Sequence, residues 1–296
     1  MNQPVSRPIV PIQFALRFEQ CDVEARLGLP RGRLTNPSMV TSALLTVVLM
    51  TVIYSASWMF RLEESVGAIV WRYLTAFQGI PVAIALLTCW SIAILALKLL
   101  KIRAQRKALE ISFLPSDPLW VLTGTSAENV IREIAVKVEE PESFMYFKRT
   151  LGVLRTMRNI GRVADVEELF DSRSDADEAI VDSGYTAVKA FIWGVPVLGF
   201  IGTVIGLTQA TGRFGDVLRD PKMKQDLERL AGGLTDVLGG LDTAFVTTAE
   251  GLVAAFFLYM AQMMVKQADE RLLDDVRDAC SSNIVTRVRI DPTGAR

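Results

Sequence analysis

The chain reads as all-α, a polytopic membrane protein with four transmembrane helices and helical cytoplasmic extensions. Three observations predict this. Half of the 296 residues are hydrophobic and the mean hydropathy is positive, which is high for a water-soluble domain of this length. Four windows are apolar enough and long enough to cross a hydrocarbon core, which takes roughly 20 helical residues. No stretch of any length alternates apolar and polar residues as a half-buried strand would.

Residues 1–37 are predicted as a cytoplasmic N-terminal segment. Within it Ile12, Leu16, Val23 and Leu27 lie near one helical face, which suits either a helix on the membrane surface or a packed cytoplasmic helix. The first transmembrane helix is placed at 38–60, a window without a charge. It starts too late and runs too long for a cleaved signal, and no small-residue cleavage site follows, so it reads as a retained span. The second transmembrane helix is placed at 73–97.

Residues 98–188 read as a helical cytoplasmic segment. Thr125 and Glu128 fit a capping box ahead of Val130, Ile131, Ile134, Ala135 and Val138. Pro141 closes that helix or opens the next. Phe144, Phe147, Leu151, Leu154, Met157 and Ile160 then recur at helical spacing, with Gly161 as the stop. Residues 163–170 are amphipathic. The acidic run 171–182 is expected to lead a helix straight into the third transmembrane helix, at 189–210. Residues 211–240 are expected as a periplasmic loop. Asp220 and Pro221 open a short amphipathic helix in that loop, and Gly232, Gly233, Gly239 and Gly240 punctuate it. The fourth transmembrane helix is placed at 241–265, and a cytoplasmic C-terminal tail at 266–296.

Basic residues set the orientation. Arg26, Arg31 and Arg33 precede the first span; Lys98, Lys101, Arg103, Arg106 and Lys107 follow the second; Lys266 and Arg271 follow the fourth. The turn between the first two spans holds Arg61 and Arg72. Both termini are therefore expected in the cytoplasm. Arg213, Arg219, Lys222, Lys224 and Arg229 between the last two spans run against this. The cluster after the second span is denser and nearer its membrane end, so it is given more weight.

Several chemistries are disfavoured. The net charge of −1 offers no basic field for nucleic acid. Cys21, Cys89 and Cys280 lack metal-ligand spacing and imply no disulfide framework. The absence of histidine removes the commonest general base and zinc ligand. There is no phosphate-binding loop and no GxSxG elbow. No enzyme activity, cofactor or metal is expected, and the bilayer is the expected surroundings.

The last two spans carry polar groups where lipid would penalise them. In the third, Gly199, Gly202, Thr203 and Gly206 share a stripe, and Pro196 is placed to kink the helix. In the fourth, Ala244, Thr248, Gly251 and Ala255 form one stripe of small residues, with Thr243, Thr247, Glu250 and Ala254 beside it. Such stripes let helices approach closely, and by themselves mean only packing. A single threonine often bonds its own backbone. Glu250 is harder to dismiss, since an ionised carboxylate facing lipid costs about 2.5–3.5 kcal/mol or more. It therefore belongs on an interior face, as part of a polar path or as a packing bond to a neighbouring helix. With the spans antiparallel, Thr203 and Thr248 fall at similar depth and can flank a path for a proton or a partner's carboxyl group.

The segments PVLGFIGTVIGL (196–207) and LDTAFVTTAEGLVAA (241–255), with Ser183, Gly184, Tyr185, Thr186 and Trp193 in the run-in, resemble the MotA/TolQ/ExbB proton-channel family. The resemblance covers 183–265. Outside it the likeness is one of layout, four spans with a cytoplasmic insert after the second, as in the flagellar stator subunit. The resemblance implies a ring of typically five copies around the single spans of a partner dimer of the MotB/TolR/ExbD kind. A partner aspartate would bind and release protons, and threonines matching Thr203 and Thr248 would line the route. Ion flow would then drive mechanical work at the bacterial inner membrane. The chain departs from the family at Glu250, where a hydrophobic residue is more usual, and at Thr243, where ExbB-like members carry a glutamate. The alternatives are a non-transporting membrane scaffold of the same fold, and an unrelated four-span transporter or sensor.

Overall fold

The structure, a computed structural model, describes residues 16–59, 71, 79–115, 120–157, 163–219 and 227–289. In chain order its elements are β1 (Leu16–Arg17), α1 (Phe18–Cys21), α2 (Val23–Arg26), α3 (Met39–Met59), α4 (Ile80–Leu109), α5 (Gly124–Lys137), β2 (Val138–Glu139), α6 (Met145–Thr156), α7 (Val163–Ser183), α8 (Thr186–Arg219) and α9 (Leu227–Asn283). The fold is all-α with four helices long and apolar enough to cross a membrane. The chain divides into two compact units. One comprises Met1–Pro37, Lys98–Ser183 and Gln267–Arg296, the other Ser38–Leu97 and Gly184–Lys266.

The second unit holds the apolar segments. Its core is Ile80 and Ile84 of α4, Val195 of α8 and Ala255 of α9, with Leu87, Leu198, Ile205 and Ala254 packed around them. On α3 the buried positions are Thr41, Ser42, Thr46 and Ser57, while Val47, Val48 and Val52 are exposed. That pattern inverts a water-soluble helix and suits one with lipid outside. The inward hydroxyls are satisfied locally. Ser42 donates to the Met39 carbonyl at 3.0 Å and Thr46 to the Ser42 carbonyl at 2.7 Å. Trp90 Nε1 of α4 donates to Ser42 Oγ at 3.1 Å, and its ring packs on Phe191 of α8 with centroids 5.2 Å apart.

The first unit is built around α6. Phe144, Met145, Phe147 and Val153 are fully buried with Leu122, Ile134, Val166, Leu272 and Ile284. Phe144 meets Phe18 and Phe147 edge-on. Leu16 and Phe18 thus pack within this unit while Leu27 is exposed; residues 1–15, including Ile9 and Ile12, lie outside the described residues. The Tyr146 hydroxyl accepts from Asn283 at 2.8 Å, and burial pushes its pKa up to about 12.

Several expectations need correction here. Two short strands do form, pairing in parallel with Leu16 opposite Val138 and Arg17 opposite Glu139. Two residues are too few to show an alternating pattern. The capping box is Thr123 with Ser126, two residues before the expected pair. The Ser126 hydroxyl accepts from Thr123 N at 2.8 Å, so the helix starts at Gly124. The acidic stretch does lead into the third span as expected, with a two-residue turn at Gly184 and Tyr185 between α7 and α8. The loop expected over 211–240 is largely helical, with 211–219 in α8 and 227–240 in α9. Once an apolar span has nucleated a helix, each added residue costs little, and water can solvate the charged extension. The Asp220 and Pro221 start signal and the Gly161 stop lie outside the described residues. Residues 266–283, by contrast, form a helical extension as the fold class expected, continuing α9 and burying Leu272, Val276 and Cys280 at intervals of four.

Charged groups tie the first unit together. Lys98, 0% exposed, donates to Asp269 Oδ2 at 2.9 Å and to Asn36 Oδ1 at 2.8 Å. Asn36 Nδ2 in turn donates to the Ile180 carbonyl at 2.6 Å. Lys101 contacts Glu24 Oε2 at 2.6 Å and Asp22 Oδ2 at 3.3 Å. Breaking a buried pair from one side is costly because the other charge stays buried. Lys98→Met should therefore destabilise the protein by roughly 3–5 kcal/mol, and adding Asp269→Leu should recover most of that loss. Thermal unfolding of the purified protein, followed by circular dichroism, measures both.

Candidate functional site: a threonine wall between the last two spans

The close approach of α8 and α9 follows from their small residues. A methyl group added at Gly199 would come within 2.8 Å of the Thr247 carbonyl oxygen. One at Gly202 would meet Thr247 Oγ1 at 2.7 Å, and one at Gly206 would meet Ala244 Cβ at 2.7 Å. From the other side, one at Gly251 would sit 2.9 Å from the Val195 carbonyl oxygen and 3.4 Å from Pro196 Cα. Ala244 and Ala255 are buried in the same contact. Side chains as small as hydrogen and methyl are what the spacing admits. Pro196 stands inside α8, whose helical course continues through it.

That approach brings three threonine hydroxyls onto two backbone carbonyls. Thr203 Oγ1 donates to the Ala244 carbonyl at 2.8 Å and lies 3.4 Å from the Gly199 carbonyl. Thr248 Oγ1 donates to the Gly199 carbonyl at 3.0 Å. Thr247 Oγ1 donates to the Ala244 carbonyl at 2.8 Å and is 3.4 Å from the Gly199 carbonyl. The hydroxyls of Thr203 and Thr248 are also within hydrogen-bonding reach of each other, and that bond takes the place of one of the two to the carbonyls because each hydroxyl has a single proton.

Each hydroxyl has one proton and two lone pairs, so the Thr203 and Thr248 pair has two proton arrangements on the same heavy atoms. Thr248 can donate to Thr203 while Thr203 donates to the Ala244 carbonyl. Alternatively, Thr203 donates to Thr248 while Thr248 donates to the Gly199 carbonyl. In either state one hydroxyl oxygen of the pair keeps a lone pair free to accept a further hydrogen bond.

The predicted residues separate by burial. Thr247 is fully buried between the helices, whereas Thr203 and Thr248 are half-buried. Glu250 is half-buried with Oε2 shielded from solvent. The side chain of Thr243 lies outside the described residues, as does that of Asp242. Apolar side chains flank the wall: Phe200 is 63% exposed and Phe245 62%. Two features, one in each unit, escape sequence reasoning. The carbonyls of Gly199 and Ala244 act through backbone atoms that every residue carries. The buried Lys98 and Asp269 pair joins residues far apart in the chain, each of which reads as an ordinary flanking charge.

The threonine wall is half-open and set between two close-packed apolar helices. Residues 146–278 match the model of the MotA/TolQ/ExbB proton channel family. No curated protein and no solved structure matches the chain. The chain is therefore a multi-span membrane protein that carries a MotA/TolQ/ExbB proton channel family domain over residues 146–278. The match is wider than the expected 183–265. It takes in α6, α7 and most of the last helical stretch beyond the fourth span, and leaves out α1, α2 and α5 of the first unit.

Close packing is directly testable. Gly251→Ala should destabilise the protein by about 1–3 kcal/mol through overpacking against Val195 and Pro196. At Gly212 an added methyl meets nothing within 4 Å, so Gly212→Ala should leave the unfolding temperature unchanged or slightly raised. Parallel thermal melts of the two variants decide.

Proposed function

We propose that this chain is the ring-forming subunit of a motor or channel driven by the proton motive force in a bacterial inner membrane. Both termini lie in the cytoplasm in this reading. About five copies surround the single spans of a partner dimer of the MotB/TolR/ExbD kind, whose aspartate carries the proton. The observation that carries the reading is the Thr203 and Thr248 hydroxyl pair, which joins the last two spans inside the proton channel domain. Its half-burial supports a wall that faces another chain. In this reading Thr247 and Glu250 belong to the same path, and Thr243 joins them by its place in the sequence alone. Helices 38–60, 73–97, 189–210 and 241–265 form the membrane part.

Threonine walls suit the task physically. A carboxyl group that alternates between neutral and charged needs neighbours that can donate to the charged form and accept from the neutral one. A potential of 100 mV does about 2.3 kcal/mol of work on each charge that crosses, which supplies a motor without a nucleotide.

Thr203→Val and Thr248→Val keep shape and remove the hydroxyl. Each should lower proton flux in reconstituted complexes roughly tenfold to a hundredfold, the value of a hydrogen bond to a charged group, with assembly intact. Undiminished flux in both would leave the structural scaffold as the function. Native mass determination should find a multimer of this chain with two copies of a single-span protein. A monomer without such a companion would overturn the ring.

A further inference from the structure

The last two spans repeat each other. The segment GFIGTVIGL (199–207) lies over AFVTTAEGL (244–252). Phe200, Thr203, Gly206 and Leu207 recur as Phe245, Thr248, Gly251 and Leu252, each 45 positions later. The contacts repeat in the same register. Thr203 Oγ1 lies 2.8 Å from the Ala244 carbonyl, and Thr248 Oγ1 lies 3.0 Å from its counterpart, the Gly199 carbonyl. A methyl group at Gly206 would meet Ala244 Cβ at 2.7 Å and the Gly240 carbonyl oxygen at 3.4 Å. One at Gly251 would meet the Val195 carbonyl oxygen at 2.9 Å and Gly199 Cα at 3.5 Å. Exchanging every residue for its counterpart turns one set of contacts into the other. The helices are antiparallel, since Gly206 faces Ala244 while Gly199 faces Thr248. Such a pair is related by a local two-fold axis, which here passes between Thr203 and Thr248. Inverted repeats place the ion sites of many transporters at the repeat interface.

The axis fixes what stands beside the threonines. Phe200 and Phe245 each precede their threonine by three positions, so each is its neighbour on the helix surface. The two rings are exposed to the same degree, 63% and 62%. A helical side chain leans toward the N-terminus of its own helix. On antiparallel helices the two rings therefore lean in opposite directions, each set about 4.5 Å along the axis from its threonine. In the orientation proposed above, Phe200 stands on the cytoplasmic side of the pair and Phe245 on the outer side. The two segments differ in charge at one matched position, where Glu250 replaces Ile205.

A file of water beside the hydroxyl pair would pass protons without engaging a partner. A constriction lined by apolar side chains resists wetting. We propose that Phe200 and Phe245 are twin hydrophobic gates, one on each side of the Thr203 and Thr248 pair, which shut out water while a carrier carboxyl group occupies the level between them. Each ring controls access from its own side of the membrane, and the repeat makes the two equivalent in position. The gating role rests on the proton path proposed above.

Thr203→Cys in the full-length protein reports water at the threonine level. Right-side-out and inverted membrane vesicles are treated with a membrane-impermeant trimethylammonium methanethiosulfonate, and peptide mass spectrometry locates the label. With both rings in place, position 203 should stay unlabelled from either side. Adding Phe245→Ala should admit label from the outer side alone, and adding Phe200→Ala from the cytoplasmic side alone. Phe256→Ala removes a ring 60% exposed beyond the repeated segment and should admit none. Phe200→Val and Phe245→Val, which shorten the side chain and keep it apolar, carry the same test if an alanine variant does not insert. Label at 203 with both rings present, label without sidedness, label in Phe256→Ala, or none in any variant would overturn the gates. Opposite sidedness would keep the gates and reverse the orientation. Labelling needs no ion flux, so the two readings separate. Absent sidedness with lowered flux in Thr203→Val and Thr248→Val would strike the gates and leave the motor standing.

Discussion

The candidate site depends on one steric condition: α8 and α9 touch through backbone. Gly199, Gly202 and Gly206 on one helix and Ala244 and Gly251 on the other leave no room for a further methyl group. Only at that separation can a threonine hydroxyl on one helix reach a carbonyl on the other, as Thr203 reaches Ala244 and Thr248 reaches Gly199. Glycine normally weakens a helix. In an apolar setting, where water does not drive helices together, close van der Waals contact is the attraction available, and glycine is what permits it.

The same contact sorts the three threonines by burial. Thr247 is buried and serves packing as much as polarity, bonding within its own helix while filling the hollow over Gly202. Thr203 and Thr248 are half-buried, held from behind by carbonyls and open at the front. A fully enclosed hydroxyl pair would be a packing device, and a fully exposed one would be unsatisfied in lipid. Half-enclosure leaves the pair satisfied from behind and open on one side.

The first unit solves a different problem. Its aromatic core around Phe144 and Phe147 is ordinary water-excluding packing, yet it also holds Lys98 with Asp269 and Arg149 with Asp177 in deep burial. Desolvating such pairs is expensive and they rarely add stability over apolar replacements. What they add here is registration. Lys98 and Asn36 connect three distant stretches of chain, 36, 180 and 269, at a single point. An apolar contact could slide, whereas a lysine with two named acceptors does not.

The sequence by itself determined the helical class and four apolar spans, because a hydrocarbon core demands length and apolarity that composition displays directly. It also marked Gly199, Gly202, Gly206, Thr203 and Thr248, because one helical face repeats at a spacing that can be counted. It misplaced what depends on contact. The extensions of α8 and α9 past 210 and before 241, the turn at Gly184, and the β1 and β2 pairing carry no local period strong enough to read. Which threonine is buried, which carbonyls receive the hydroxyl protons, and which lysine finds Asp269 were decided only by the tertiary structure. The reason is physical: periodicity is a property of neighbours along the chain, whereas a hydrogen bond between α8 and α9 is made by residues more than forty positions apart, brought together by the steric fit of two helices.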